Sequence, residues 1–237
     1  MIRPMRKHLG ATAHYLILLG AAYLGCLALL GFRFMISGRN SQLSLGWNLF
    51  LAAVPVVLGL LTELWTRKSP RGLALPLLFP LTLVWLVFLP NSSYIFTDFI
   101  HLIQHGMSSD ANARGMNTML VWYDVVLRSV FAFTGHLSGL FSLFTMHFVY
   151  TRFFGRAWGW FLVLFSSLAV GYGVFLGRFI RLNSWNVITH PQAVLNAVFG
   201  NVFAEDALFF SLTFGIFVLI SYVFVYVFKR YSVEAAH

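Results

Sequence analysis

Six runs of apolar residues, most of them about 18–30 long, leave this chain few folds to adopt. A hydrocarbon core about 30 Å thick is crossed by about 20 helical residues at 1.5 Å each. Within that core each backbone amide needs a partner in the protein itself, and a helix supplies one from its own backbone. The runs fall at about 14–32, 44–62, 73–90, 118–149, 160–181 and 207–228. The expectation is an all-α, polytopic transmembrane helical bundle, with residues 1–237 forming a single transmembrane domain.

Composition supports this reading. The chain is 59% hydrophobic and 10% charged, with a mean hydropathy of +0.79, against about 45–50% and about 25% in soluble domains. The net charge of +9 does not read as a nucleic-acid footprint, because the basic residues sit in small clusters between apolar runs. Cys26 is the single cysteine, so neither an intrachain disulfide nor a thiolate metal cage is expected. The basic amino terminus (Arg3, Arg6, Lys7) resembles a signal peptide. Bulky Tyr23 before Leu24-Gly25-Cys26 and the continuing apolar run make it a first span instead.

Two runs are irregular. The third contains Pro76 and Pro80, which membrane helices tolerate when neighbours re-satisfy the freed carbonyls. The fourth exceeds one crossing and is expected to tilt or extend beyond the bilayer.

Lys and Arg set the orientation. One set of faces holds Arg3, Arg6, Lys7, Arg67, Lys68, Arg71, Arg152, Arg156, Lys229 and Arg230, and the other holds Arg33, Arg39, Arg114, Arg178 and Arg181. Arg128 lies inside the fourth run. Positive-inside then puts both termini in the cytoplasm, and Asp98, Asp110, Asp124, Glu205 and Asp206 lie at or near the outer face.

Three segments at that face could carry chemistry. After Leu89-Pro90-Asn91-Ser92-Ser93, the steps of four, three and four between Tyr94, Asp98, His101 and His105 predict one polar stripe on a short amphipathic interfacial helix near 92–105. Phe96, Phe99, Ile100 and Ile103 occupy its other side. Asp and His at such spacing could trade protons or, as an alternative, hold a metal through Asp98, His101 and His105. The plainer reading is a helix lying flat with its stripe in water.

Asp124 and Arg128 follow Trp122-Tyr123 in the fourth span. Asp before Arg at four residues is the favourable order for a pair within one helix, and a charge in the bilayer needs a partner or a purpose. Ala132, Gly135 and Gly139 continue the same face and allow close helix approach. The third segment, Gly177-Arg178-Phe179-Ile180-Arg181-Leu182-Asn183-Ser184-Trp185, pairs two guanidiniums suited to carboxylate or phosphate. Capping by Asn183, snorkelling arginines and an interfacial Trp185 explain it equally well. Gly155-x3-Gly159 and Gly173-x3-Gly177 read as packing motifs. His136, His147, Ser142, Ser166 and Ser167 show no catalytic companion.

Leu-Pro-Asn-x2-Tyr-x2-Thr-Asp-x2-His-Leu (Leu89 to Leu102), Trp122-Tyr123-Asp124 and Gly177-Arg178-x2-Arg181-x-Asn183-Ser184-Trp185 together resemble the signature segments of an uncharacterised bacterial membrane-protein family, domain of unknown function 1361. The resemblance spans about residues 45–230. It implies that the three segments belong together and that the setting is the bacterial cytoplasmic membrane, with no activity attached. Family members often carry an acid where this chain has Asn186, which weakens a metal-site reading here.

The residues then point to one outward-opening polar site. Asp98, His101 and Asp124 would be its catalytic candidates. Asn91, Tyr94, Arg128, Arg178, Arg181, Asn183 and Trp185 would bind an anionic lipid headgroup or small polar molecule. The cofactor and the oligomeric state stay unassigned, and the lipid bilayer is the expected partner. Two other readings stay open: a transporter or permease component, or a non-catalytic structural or partner-binding subunit. Transport would call for polar residues through the whole membrane depth, and the cytoplasmic halves are nearly all Phe, Leu and Val.

Overall fold

The computed structural model describes residues 2–37, 42–100 and 118–234. The elements among them are α1 (Ile2–Ser37), α2 (Leu43–Lys68), α3 (Arg71–Phe88), α4 (Asn91–Tyr94), a 3₁₀ turn (Ile95–Phe99), α5 (Thr118–Phe154), α6 (Arg156–Arg178), α7 (Asn186–Thr189), α8 (Pro191–Asn201) and α9 (Glu205–Glu234). No strand occurs among the described residues.

Six helical stretches are long and apolar enough to cross a membrane: Thr12–Ile36, Leu43–Lys68, Arg71–Phe99, Met119–Phe154, Arg156–Arg178 and Glu205–Lys229. They match the six apolar runs one for one, and the chain is an all-α, multi-pass membrane protein. Pro55 lies inside α2, and Pro76 and Pro80 lie inside α3. Pro90 follows α3, and Asn91 donates its side-chain amide to the Phe88 carbonyl at 2.9 Å, one of the acceptors a helix end leaves open.

Backbone contacts divide the chain into two compact units, Met1–Phe50 with Ile95–Gly135, and Leu51–Tyr94 with His136–His237. In the first, Cys26 and Leu30 of α1 pack with Leu45 and Leu49 of α2, Ile95, and Leu127, Phe131 and Ala132 of α5. Phe96 meets Phe133 edge to face at 5.7 Å, and the Cys26 thiol reaches the Thr134 hydroxyl at 3.4 Å.

In the second unit, Leu78 and Trp85 of α3 pack with Leu143 and Met146 of α5, Val163 and Val170 of α6, and Val218 and Tyr222 of α9. Apolar lipid gives helices no hydrophobic reason to associate, so close packing and buried hydrogen bonds hold such a bundle. Both are present. A Cβ on Gly171 would lie 2.5 Å from the Ser211 carbonyl oxygen, so α6 and α9 touch backbone to backbone there. The Trp85 indole donates to Ser142, which donates in turn to the Pro55 carbonyl, joining α3, α5 and α2. Gly155, with φ +93°, makes the break between α5 and α6 that a side chain would resist.

Two helices lie where no element was expected. Between Arg181 and Glu205 the chain forms α7 and α8, and the Tyr172 hydroxyl holds α8 by donating to the Val198 carbonyl.

Candidate functional site

Polar side chains gather in each unit. In the first, the end of α1 and the start of α2 meet the start of α5 and the 3₁₀ turn. Arg33 grips Asp124 with two parallel bonds, Nε to Oδ1 at 2.5 Å and Nη2 to Oδ2 at 2.9 Å, and both side chains are largely buried. This differs from the expected pair within α5. Arg128 turns away to the Asp98 backbone carbonyl at 3.1 Å and the Gln42 side-chain oxygen at 2.8 Å. A guanidinium arriving from another helix can meet both carboxylate oxygens in one plane, and Arg33 does so here.

Asp98 is only 6% exposed and accepts a bond at 3.0 Å from the Asn48 side-chain amide. The water-facing stripe therefore fails at this residue. Within its described part, the expected helix near 92–105 takes the form of an α turn through Tyr94 and a 3₁₀ turn through Phe99. In 3₁₀ geometry residues three apart eclipse, so Asp98 shares the buried side with Ile95. His101 and His105 lie outside the described residues, which leaves only Asp98 of the metal alternative within them. Arg128 is 7% exposed, and its Nε has no hydrogen-bond partner among the described residues.

In the second unit, the Leu89–Tyr94 segment is seated on small residues. A Cβ on Gly139 would lie 2.1 Å from the Ser92 hydroxyl oxygen. One on Gly173 would lie 2.3 Å from Pro90 Cγ, and one on Gly177 3.1 Å from the Tyr94 ring. Gly173-x3-Gly177 is thus the packing motif expected of it, and α4 with its preceding turn is what it receives. Asn91 also donates to the Ser184 hydroxyl at 2.8 Å, tying this segment to the chain beyond α6.

That chain reverses sharply. Leu182 N–H donates back to the Leu176 carbonyl at 3.1 Å. Arg181, at φ +62°, is the one non-glycine residue with positive φ among those described. The cost of that conformation is about 1–2 kcal/mol for an L-residue. Asn183 does not cap through its side chain. Its backbone N–H donates to Asn186 Oδ1 at 2.7 Å, and an acid at position 186 would supply the same acceptor. Arg181, Asn183 and Trp185 are exposed and Arg178 is half-buried.

Asp98, Asp124 and Arg128 thus come together in the first unit, and Asn91 and Tyr94 join the Arg178–Trp185 reversal in the second. Sequence reasoning missed Gln42, Asn48 and Ser184, and it read Arg33 only as a topology charge. It also left His136 and His147 without polar companions. His136 Nδ1 lies 3.0 Å from the buried Ser93 hydroxyl with its ring stacked on Phe217, and His147 Nδ1 bonds the Tyr222 hydroxyl. Nothing local marks such partners, because each lies tens of residues away.

A cavity of about 10 Å³ beside Ser92, Ser93 and His136 is walled mainly by Leu89, Leu140, Leu143, Val170 and Val218. It has room for about one water molecule and is not a substrate pocket. No curated protein and no solved structure matches the chain. A family model does, over residues 47–221, taking in all three motif segments, and the chain belongs to that family, the proteins of unknown function DUF1361.

Proposed function

We propose that this protein is a multi-pass component of the bacterial cytoplasmic membrane, with both termini cytoplasmic. Its Arg178–Trp185 reversal binds an anionic lipid headgroup or small polar anion at the outer face. The observation that carries the reading is the left-handed backbone of Arg181. A glycine would close the same reversal without strain, and strain kept at a larger residue clusters at ligand sites. Here it presents a second guanidinium three residues after Arg178, beside the Asn91–Ser184 tie. Two forked donors suit a phosphate or carboxylate, which they can meet with charge-assisted bonds.

If chemistry accompanies binding, Asp98 suits a general base better than Asp124. Asp124 is committed to Arg33 through both oxygens, and Asp98, which accepts from the Asn48 amide, is the carboxylate outside that fork. His101 would follow as proton carrier. A second reading, a non-catalytic structural subunit, draws support from the first unit. Among its described residues Arg33 pairs with Asp124, and Arg128 reaches the Asp98 carbonyl and Gln42, so two cations and two acids sit in the same unit. Such balance costs less in a membrane than an unmatched charge.

Native mass spectrometry of the gently extracted protein, with Arg178→Gln beside it, separates the two readings. A co-purifying anion or lipid lost in the variant supports binding. Spectra without a bound species in both proteins favour the structural subunit.

A further inference from the structure

Between Arg181 and Glu205 the chain carries no formally charged side chain, although α7 and α8 are largely exposed. At 11 residues, α8 is about 16 Å long and too short to cross a bilayer. Its surface divides into three. Val198 packs against the protein, where Tyr172 holds its carbonyl, and Val194 on the same side is half-buried. Leu195 and Phe199, about 40° apart at 100° per residue, form an apolar edge, 50% and 73% exposed. Asn196 and Ala193 lie on the far edge, with Ala193 about 160° from Leu195.

Phe179 at the end of α6 and Phe203, Phe209 and Leu212, leading into and along α9, are exposed as well. An uncharged, exposed apolar edge of this kind, joined at both ends to transmembrane helices, fits lipid and not water. Trp185 stands where interfacial tryptophans anchor.

We infer that α7–α8 is an in-plane elbow immersed in the outer-leaflet interface, holding the Arg178–Trp185 reversal at headgroup depth so that its guanidiniums meet the phosphate of an anionic lipid arriving laterally. The elbow stands on its own geometry. The lipid source of the ligand rests on the binding reading above.

The test places single cysteines at Leu195, Phe199 and Ala193 in the full chain, with an environment-sensitive fluorophore on each, in nanodiscs of phosphatidylcholine with phosphatidylglycerol. Native Cys26 is fully buried, so the unsubstituted protein is the labelling blank. Probes at Leu195 and Phe199 are expected to be quenched several-fold more by nitroxide-labelled lipid, and several-fold less by aqueous iodide, than the probe at Ala193. Equal iodide quenching at all three sites overturns the elbow, and so does shielding from both quenchers, which marks a covering protein. Native mass spectrometry of the same samples then checks for retained phosphatidylglycerol in the parent and its loss in Arg178→Gln. A lipid-quenched elbow with no retained phosphatidylglycerol keeps the elbow and removes the lipid ligand.

Discussion

Arg33 at the end of the first span holds both carboxylate oxygens of Asp124 at the start of the fourth, across 91 positions of chain. The bond ties the end of α1 to the start of α5. It commits both oxygens of Asp124 to one partner. Breaking a buried ion pair from one side costs about 3–5 kcal/mol, whereas replacing both with apolar residues is often neutral; this pair is partly buried, so a smaller loss of the same kind is expected. Arg33→Met and Asp124→Leu are each expected to lower the thermal midpoint in detergent, and the double variant to recover most of the loss. Additive losses in the double variant would mean the two residues act separately.

The glycines that receive Leu89–Tyr94 give a second prediction. Gly173→Ala drives a methyl into the Pro90 ring, which is rigid, so a loss of about 1–3 kcal/mol is expected from overpacking. Gly25→Ala, where nothing lies within 4 Å, is expected to be neutral or to gain up to about 1 kcal/mol from helix propensity. Paired thermal-shift measurements on the two variants check the contrast.

Arg181→Gly separates binding from architecture. Relieving the left-handed strain is expected to raise stability by about 1 kcal/mol while anion or lipid retention falls. A variant that is more stable and retains its ligand equally well would show that the guanidinium of Arg181 is not used.

Ser142 serves as the acceptor for the Trp85 indole and donor to the Pro55 carbonyl. Ser142→Ala leaves that indole N–H buried without its acceptor, at a cost of about 1–3 kcal/mol. Denaturant unfolding followed by tryptophan fluorescence is expected to show the earlier transition. An unshifted curve would mean that water or another acceptor replaces the hydroxyl.

What the chain alone determined follows from lipid physics. An apolar run longer than the hydrocarbon core must be a helix that buries its own backbone bonds, so six runs meant six spans, whatever their neighbours were. Small-residue spacing likewise marked Gly173 and Gly177 as a seat for another segment. The partners of the polar residues belonged to the tertiary structure. Asp124 had a cation four residues away, yet the fork of Arg33 from another helix offered both bonds in one plane. Asp98 looked water-facing at 100° per residue and became buried because the turn tightened to 3₁₀. Helix α8 carries no run long enough to announce a span, and its place came from Tyr172 holding the Val198 carbonyl. Hydrophobic length is a property of consecutive residues, whereas a hydrogen-bond partner is a property of where two distant segments meet.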